Sequence, residues 1–153
     1  MKKILPILLT SSLLAGAASG ISPVDLAKLE ELVKNDIDVR RETLEGGEIY
    51  TLSKYDEKEF IMYFFGDSSL TIFYKRKDTD LNRGLLFYDQ NKDGKCDEFL
   101  ISEDDKLYSV SISISRKNKG IHPVLKKLEK NKDKMYVFLL DKLRKQYKQK
   151  KDN

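Results

Sequence analysis

Over residues 48–115 apolar and polar side chains alternate at a period of two, in short runs joined by short polar connections. The clearest run is residues 108–115, where Tyr108, Val110, Ile112 and Ile114 alternate with Ser109, Ser111, Ser113 and Ser115. Successive side chains of an extended strand point to opposite faces, so such a run has one apolar and one polar face. Leu70, Ile72 and Tyr74 alternate with Thr71, Phe73 and Lys75, and further strands are predicted at residues 49–52, 59–65, 85–88 and 99–101. The connections include Gly66-Asp67-Ser68 and Glu103-Asp104-Asp105, rich in turn residues. They are too short for the crossover that joins parallel strands. The pattern predicts an antiparallel meander of five to six strands with one buried and one wet face.

A buried sheet face needs a cover, and the flanking segments supply two helices. Ser22-Pro23-Val24-Asp25 reads as a helix start, with Ser22 as N-cap, Pro23 in the first turn and Asp25 three residues after the cap. Leu26, Leu29, Leu32, Val33 and Ile37 follow at helical spacing, which predicts a helix over residues 23–40, ended before Gly46-Gly47. At the other end His122-Pro123 opens a second stripe of Val124, Leu125, Leu128, Tyr136, Leu139, Leu140, Leu143 and Tyr147. Lys142, Arg144, Lys145 and Lys148 lie between its members, so this helix is amphipathic and basic. Asn131-Lys132-Asp133 is expected to break it in two, and residues 149–153 to fray as a basic tail. The expected fold class is α+β, an antiparallel meander with an N-terminal and a C-terminal helix covering one face, in a single domain over residues 20–148.

The chain begins MKKILPILLTSSLLAGAASG. A basic start, a short apolar run and small residues at Ala15-Gly16-Ala17 form the pattern of a secretory signal peptide over residues 1–19. The apolar run is short of the roughly 20 residues that span a bilayer, and no cysteine follows Leu14-Ala15-Gly16 to accept a lipid. The expected address is secreted, or periplasmic and otherwise extracytoplasmic, with no transmembrane segment after cleavage. A secreted chain whose one cysteine is Cys96 has no internal disulfide framework; Cys96 is expected to be a small buried side chain in a strand. The charge of +4 conceals an asymmetry: residues 21–115 carry 13 basic and 21 acidic residues, and residues 116–153 carry 14 and 4.

One connection carries more than a turn requires. Residues 85–101 read LLFYDQNKDGKCDEFLI. Asp89, Asn91 and Asp93 stand at alternate positions, Gly94 permits a sharp turn, and Asp97 follows. Hard divalent cations take several oxygen ligands at about 2.3–2.6 Å, and alternate positions of one tight loop supply them. Asn91-Lys92-Asp93-Gly94 is also a good hairpin turn, but a turn needs neither Asp89 nor Asp97. Asp89-Gln90-Asn91-Lys92-Asp93-Gly94 resembles the calcium loop of EF-hand proteins. It departs from them in having Leu100 at the twelfth position, where a bidentate glutamate belongs, and strand-like rather than helical flanks. It is more similar to the D-x-D-x-D-G-x-x-D loops of integrin alpha-chain propellers and thrombospondin type 3 repeats, whose ninth-position Asp is matched by Asp97. The resemblance covers nine residues and implies a Ca2+ ligand set of Asp89, Asn91, Asp93, the Lys95 carbonyl and Asp97. Glu98 is expected to point away. The up-and-down course of the strands puts Asp67, in the turn after residue 65, at the same end of the sheet.

Catalytic patterns are missing. There is no G-x-S-x-G, H-E-x-x-H or glycine-rich phosphate loop, and the one histidine, His122, sits at a helix start. The chain is expected not to be an enzyme. It reads as a small secreted calcium-binding structural or binding domain. The alternative is a secreted protein that docks on a polyanion or a membrane surface through its basic C-terminal helix; nucleic acid is the least expected of such partners.

Overall fold

The computed structural model describes residues 21–45, 47–55, 57–77, 83–103, 106–109 and 122–152. The expected leader and the alternating residues 110–115 lie outside them. Helix α1 (Pro23–Lys34) leads into a seven-stranded sheet. The strands are β1 (Arg40–Leu44), β2 (Gly47–Tyr55), β3 (Glu59–Phe65), β4 (Leu70–Arg76), β5 (Arg83–Asp89), β6 (Glu98–Glu103) and β7 (Lys106–Ser109). Each pairs antiparallel with the next, in sequence order. Helices α2 (His122–Lys130) and α3 (Lys132–Asp152) follow. The architecture is therefore an α+β meander with helices at both ends. It has one strand more than the pattern predicts.

The extra strand is β1. Its five residues, RRETL, are all exposed, so no face of it alternates, and pairing with β2 alone makes it a strand. The predicted helix over residues 23–40 ends early for a related reason. Ser22 caps its start as expected, its Oγ accepting from the Asp25 amide at 3.1 Å. The end is set by polar side chains that bond the backbone locally. Asn35 Nδ2 donates to the Glu31 carbonyl at 3.0 Å, and Asp36 Oδ1 accepts from the Asp38 amide at 2.9 Å. Ile37, placed in the helix by its spacing, is 96% exposed beyond it.

Core-facing residues alternate along the central strands: Ile61, Tyr63 and Phe65 on β3, Leu70, Ile72 and Tyr74 on β4, Leu85 and Phe87 on β5. They pack under Leu26, Leu29 and Val33 of α1 and Met135, Tyr136, Leu139, Leu140 and Leu143 of α3. The other face is less wet than alternation alone implies. Phe60, Met62, Phe64, Phe73, Leu86 and Leu100 are half-buried there, with Phe60 and Phe73 edge-to-face at 6.2 Å. Gly84 leaves room for that layer, since a Cβ there would meet the Phe73 ring at 2.3 Å.

Asn131 does separate α2 from α3, and α3 then runs on to Asp152, past the onset of the frayed tail expected at residue 149. No helix among the described residues is long and apolar enough to cross a membrane. Sheet and α3 are pinned by a buried bond in which the Tyr63 hydroxyl donates to the Leu139 carbonyl at 2.6 Å. Burial holds that phenol neutral, its pKa well above the ordinary tyrosine value. Tyr63→Phe removes the donor while Leu139 keeps its place in the helix. The expected loss is about 1 kcal/mol, read as a lower urea midpoint with unchanged m-value.

Candidate metal centre

Strand β5 ends on Asp89. The alternation that buries Leu85 and Phe87 turns Asp89 to the core as well, and it is 0% exposed, the buried charged residue of the described chain. A buried carboxylate is costly unless donors surround it. Three do. The Tyr136 hydroxyl donates to Oδ2 at 2.8 Å, the Gly94 amide to Oδ2 at 3.0 Å and the Asp93 amide to Oδ1 at 3.2 Å. Burial still raises the Asp89 pKa above the ordinary aspartate value. Tyr136 and the two amides oppose the rise, and the charge of Asp93 adds to it.

The loop after Asp89 is built from side chains that fold back on the backbone. Asn91 Oδ1 accepts from the Asp93 amide at 3.2 Å, and Asp93 Oδ1 from the Lys95 amide at 2.9 Å. Asp97 Oδ2 accepts from the Gln90 amide at 2.7 Å, closing the loop on itself. Such local bonds are what Asn and Asp do in turns. Here their joint effect is to aim oxygens inward. Carboxylate oxygens of Asp89, Asp93 and Asp97 all lie within 4.8 Å of one another. Two ligands on one calcium ion, each about 2.3–2.6 Å away, are separated by at most about 5 Å, so the three fit one coordination sphere. Asn91 faces the same loop, and Lys95 contributes backbone, its side chain exposed. All of these donors are oxygen, which suits a hard cation and not a thiolate- or imidazole-seeking one.

Gly94 takes φ +88°, and a Cβ there would meet the Ile21 carbonyl oxygen at 2.2 Å. Lys92 is also left-handed, at φ 55°. Glu98 pairs with Tyr88 and so shares its face, opposite to Asp89, as expected. The turn at Asp67 does lie at this end of the sheet, because Lys92 Nζ donates to the Asp67 carbonyl at 3.2 Å. The Asp67 carboxylate, however, lies against Gly47 and is not in the acidic group. Cys96 is buried, as expected, but in the loop and not in a strand. Burial pushes its thiol up to about 12, and Sγ donates to the Glu98 carbonyl at 3.2 Å.

Sequence reasoning missed the residues that hold the loop in place. Lys92 pairs with Glu30 of α1 at 2.7 Å, with both side chains largely buried. Asp133, in the first turn of α3, accepts the Cys96 amide at 2.8 Å. Tyr136 looked like one more member of an apolar stripe. Its hydroxyl was the available signal, because a buried tyrosine needs a polar partner.

Neither protein-family models, nor curated proteins, nor solved structures match this chain.

Two outcomes test this geometry. Gly94→Ala combines a left-handed backbone with a clash against backbone atoms, and should cost about 2 kcal/mol or more in a denaturant melt. The Asp89 carboxyl, whose folded pKa is raised, stabilises the cation-free fold below the ordinary aspartate range of about 4. That contribution is lost as pH rises through the raised folded value. In chelator, Asp89→Asn should therefore flatten the fall of stability as pH rises above about 4, measured by urea denaturation.

Proposed function

We propose that the chain is a small secreted calcium-binding domain in which the ion clamps the hairpin of β5 and β6. Its role is structural or one of binding. The observation that carries this reading is the convergence of the Asp89, Asp93 and Asp97 oxygens within 4.8 Å, at the first, fifth and ninth positions of a D-x-N-x-D-G loop. Asn91 and the Lys95 carbonyl complete the ligand set, and water fills the remaining positions of a six- to eight-coordinate ion. The secretory pattern of residues 1–19 fits the reading, since extracellular modules with few charged ligands bind calcium at about 10⁻⁴–10⁻³ M.

The physical case rests on charge. Three carboxylates share one loop, and one of them is buried. A divalent cation turns their repulsion into attraction and offsets the burial of Asp89.

The test is a thermal melt of the protein as secreted, in calcium and in chelator, beside Asp93→Ala. Calcium at about ten times its Kd should add roughly 1.4 kcal/mol, a rise of several degrees for a domain of this size. The rise should vanish in Asp93→Ala. Equal melts in both conditions would make the loop a hairpin turn and end this reading.

A further inference from the structure

A cleft of about 480 Å³ runs between α1 and the C-terminal half of α3. Its volume falls within the range of small-molecule sites. The apolar part of its lining comes from Leu29, Leu32 and the ring of Tyr147. Leu32 is 48% exposed, and Val24, two turns earlier on α1, is 63% exposed.

The polar part of the lining is unbalanced. Arg144 is engaged by Asp141 at 3.3 Å. Lys28, Lys145 and Lys148 have no carboxylate within ion-pair distance among the described residues. Against these three stands Asp25, held in the first turn of α1, where the helix dipole favours an acid. Three cations approach one apolar trough from two different helices.

We infer that this cleft binds a single-chain anionic amphiphile, its chain along Leu29, Leu32 and Tyr147 and its head group against Lys28, Lys145 and Lys148. Apolar lining beside three lysines that lack a carboxylate partner among the described residues matches an occupant that joins one apolar chain to an anionic head group. Lysine suits this role because it is a flexible point charge that follows a head group without demanding bidentate geometry. Burial of the chain supplies affinity. The three lysines supply selection for negative charge. The inference does not depend on the calcium reading, since no loop residue lines the cleft.

The probe is dodecanoate below its micellar concentration, titrated calorimetrically into the secreted protein in calcium and in chelator. Dodecyltrimethylammonium and phosphatidylglycerol vesicles run beside it. The expected result is saturable one-to-one binding of dodecanoate, in both buffers, about ten-fold or more tighter than binding of the cationic amphiphile. The triple change K28Q/K145Q/K148Q should weaken dodecanoate about ten-fold or more with an unchanged melt, because all three are surface residues. L32S, at a half-exposed position, should weaken both amphiphiles while the protein still folds. Equal binding of the two head groups, or undiminished binding by the triple variant, would overturn the proposal. So would sedimentation with vesicles in the absence of monomer binding, which would assign these lysines to a membrane surface.

Discussion

A carboxylate at the end of a core strand is the constraint around which this molecule is arranged. Asp89 is placed by the same alternation that buries Leu85 and Phe87, so it cannot leave the core without breaking the register of β5 with β4 and β6. It must then be satisfied where it stands. Its three donors come from two parts of the chain: the amides of Asp93 and Gly94 from the loop, and the Tyr136 hydroxyl from α3. Each bond to a charged group is worth about 1.5–3 kcal/mol. Each is available in one geometry only, with the loop folded tightly and α3 laid across the sheet. The buried charge thus costs stability and specifies the fold in return.

Further contacts converge on the same loop. Lys92 reaches Glu30 on α1, Gly94 lies against Ile21 ahead of α1, and the Cys96 amide is accepted by Asp133 at the start of α3. Asp133 also sits where an acid is favoured by the helix dipole. A nine-residue loop therefore contacts both covering helices through polar groups, and the apolar core lies beneath. A cation held by the loop's inward oxygens would act on the point where sheet, α1 and α3 meet. A conventional surface hairpin, which closes only itself, gives an ion no such leverage.

How much of this was legible in the sequence follows from what each signal measures. Periodicity reports burial, so it found β3, β4, β5 and β6, and the stripes of α1 and α3. It was blind to β1, whose RRETL is exposed on every side and whose pairing is a property of β2. Helical spacing carried α1 too far because Ile37 is apolar and in phase, although Asn35 and Asp36 had already spent the backbone's hydrogen bonds. The ligand spacing from Asp89 to Asp97 is local, and the structure brings the three aspartates together. The partners that orient them, Tyr136 and Asp133, lie about 40 residues away, and no local pattern encodes such a distance. The glycine at position 94 was legible as a turn, but its close approach to Ile21 was not.

The division of charge along the chain acquires a meaning in three dimensions. An acidic body and a basic C-terminal segment attract each other, and among the described residues ion pairs form both between them and within the segment. Lys142 of α3 pairs with Glu59 of β3, but Lys132 and Arg144 turn to Glu129 and Asp141 of their own segment. The reason is geometric. Apolar residues occupy the α3 face that meets the sheet, so its cations point elsewhere, along the flank shared with α1 and outward to water. Three acids of the body, Asp89, Asp93 and Asp97, instead face one another in the loop. The acidic group of the loop and the cleft share no residue. On the readings proposed above, the loop would attract a cation and the cleft an anionic head group.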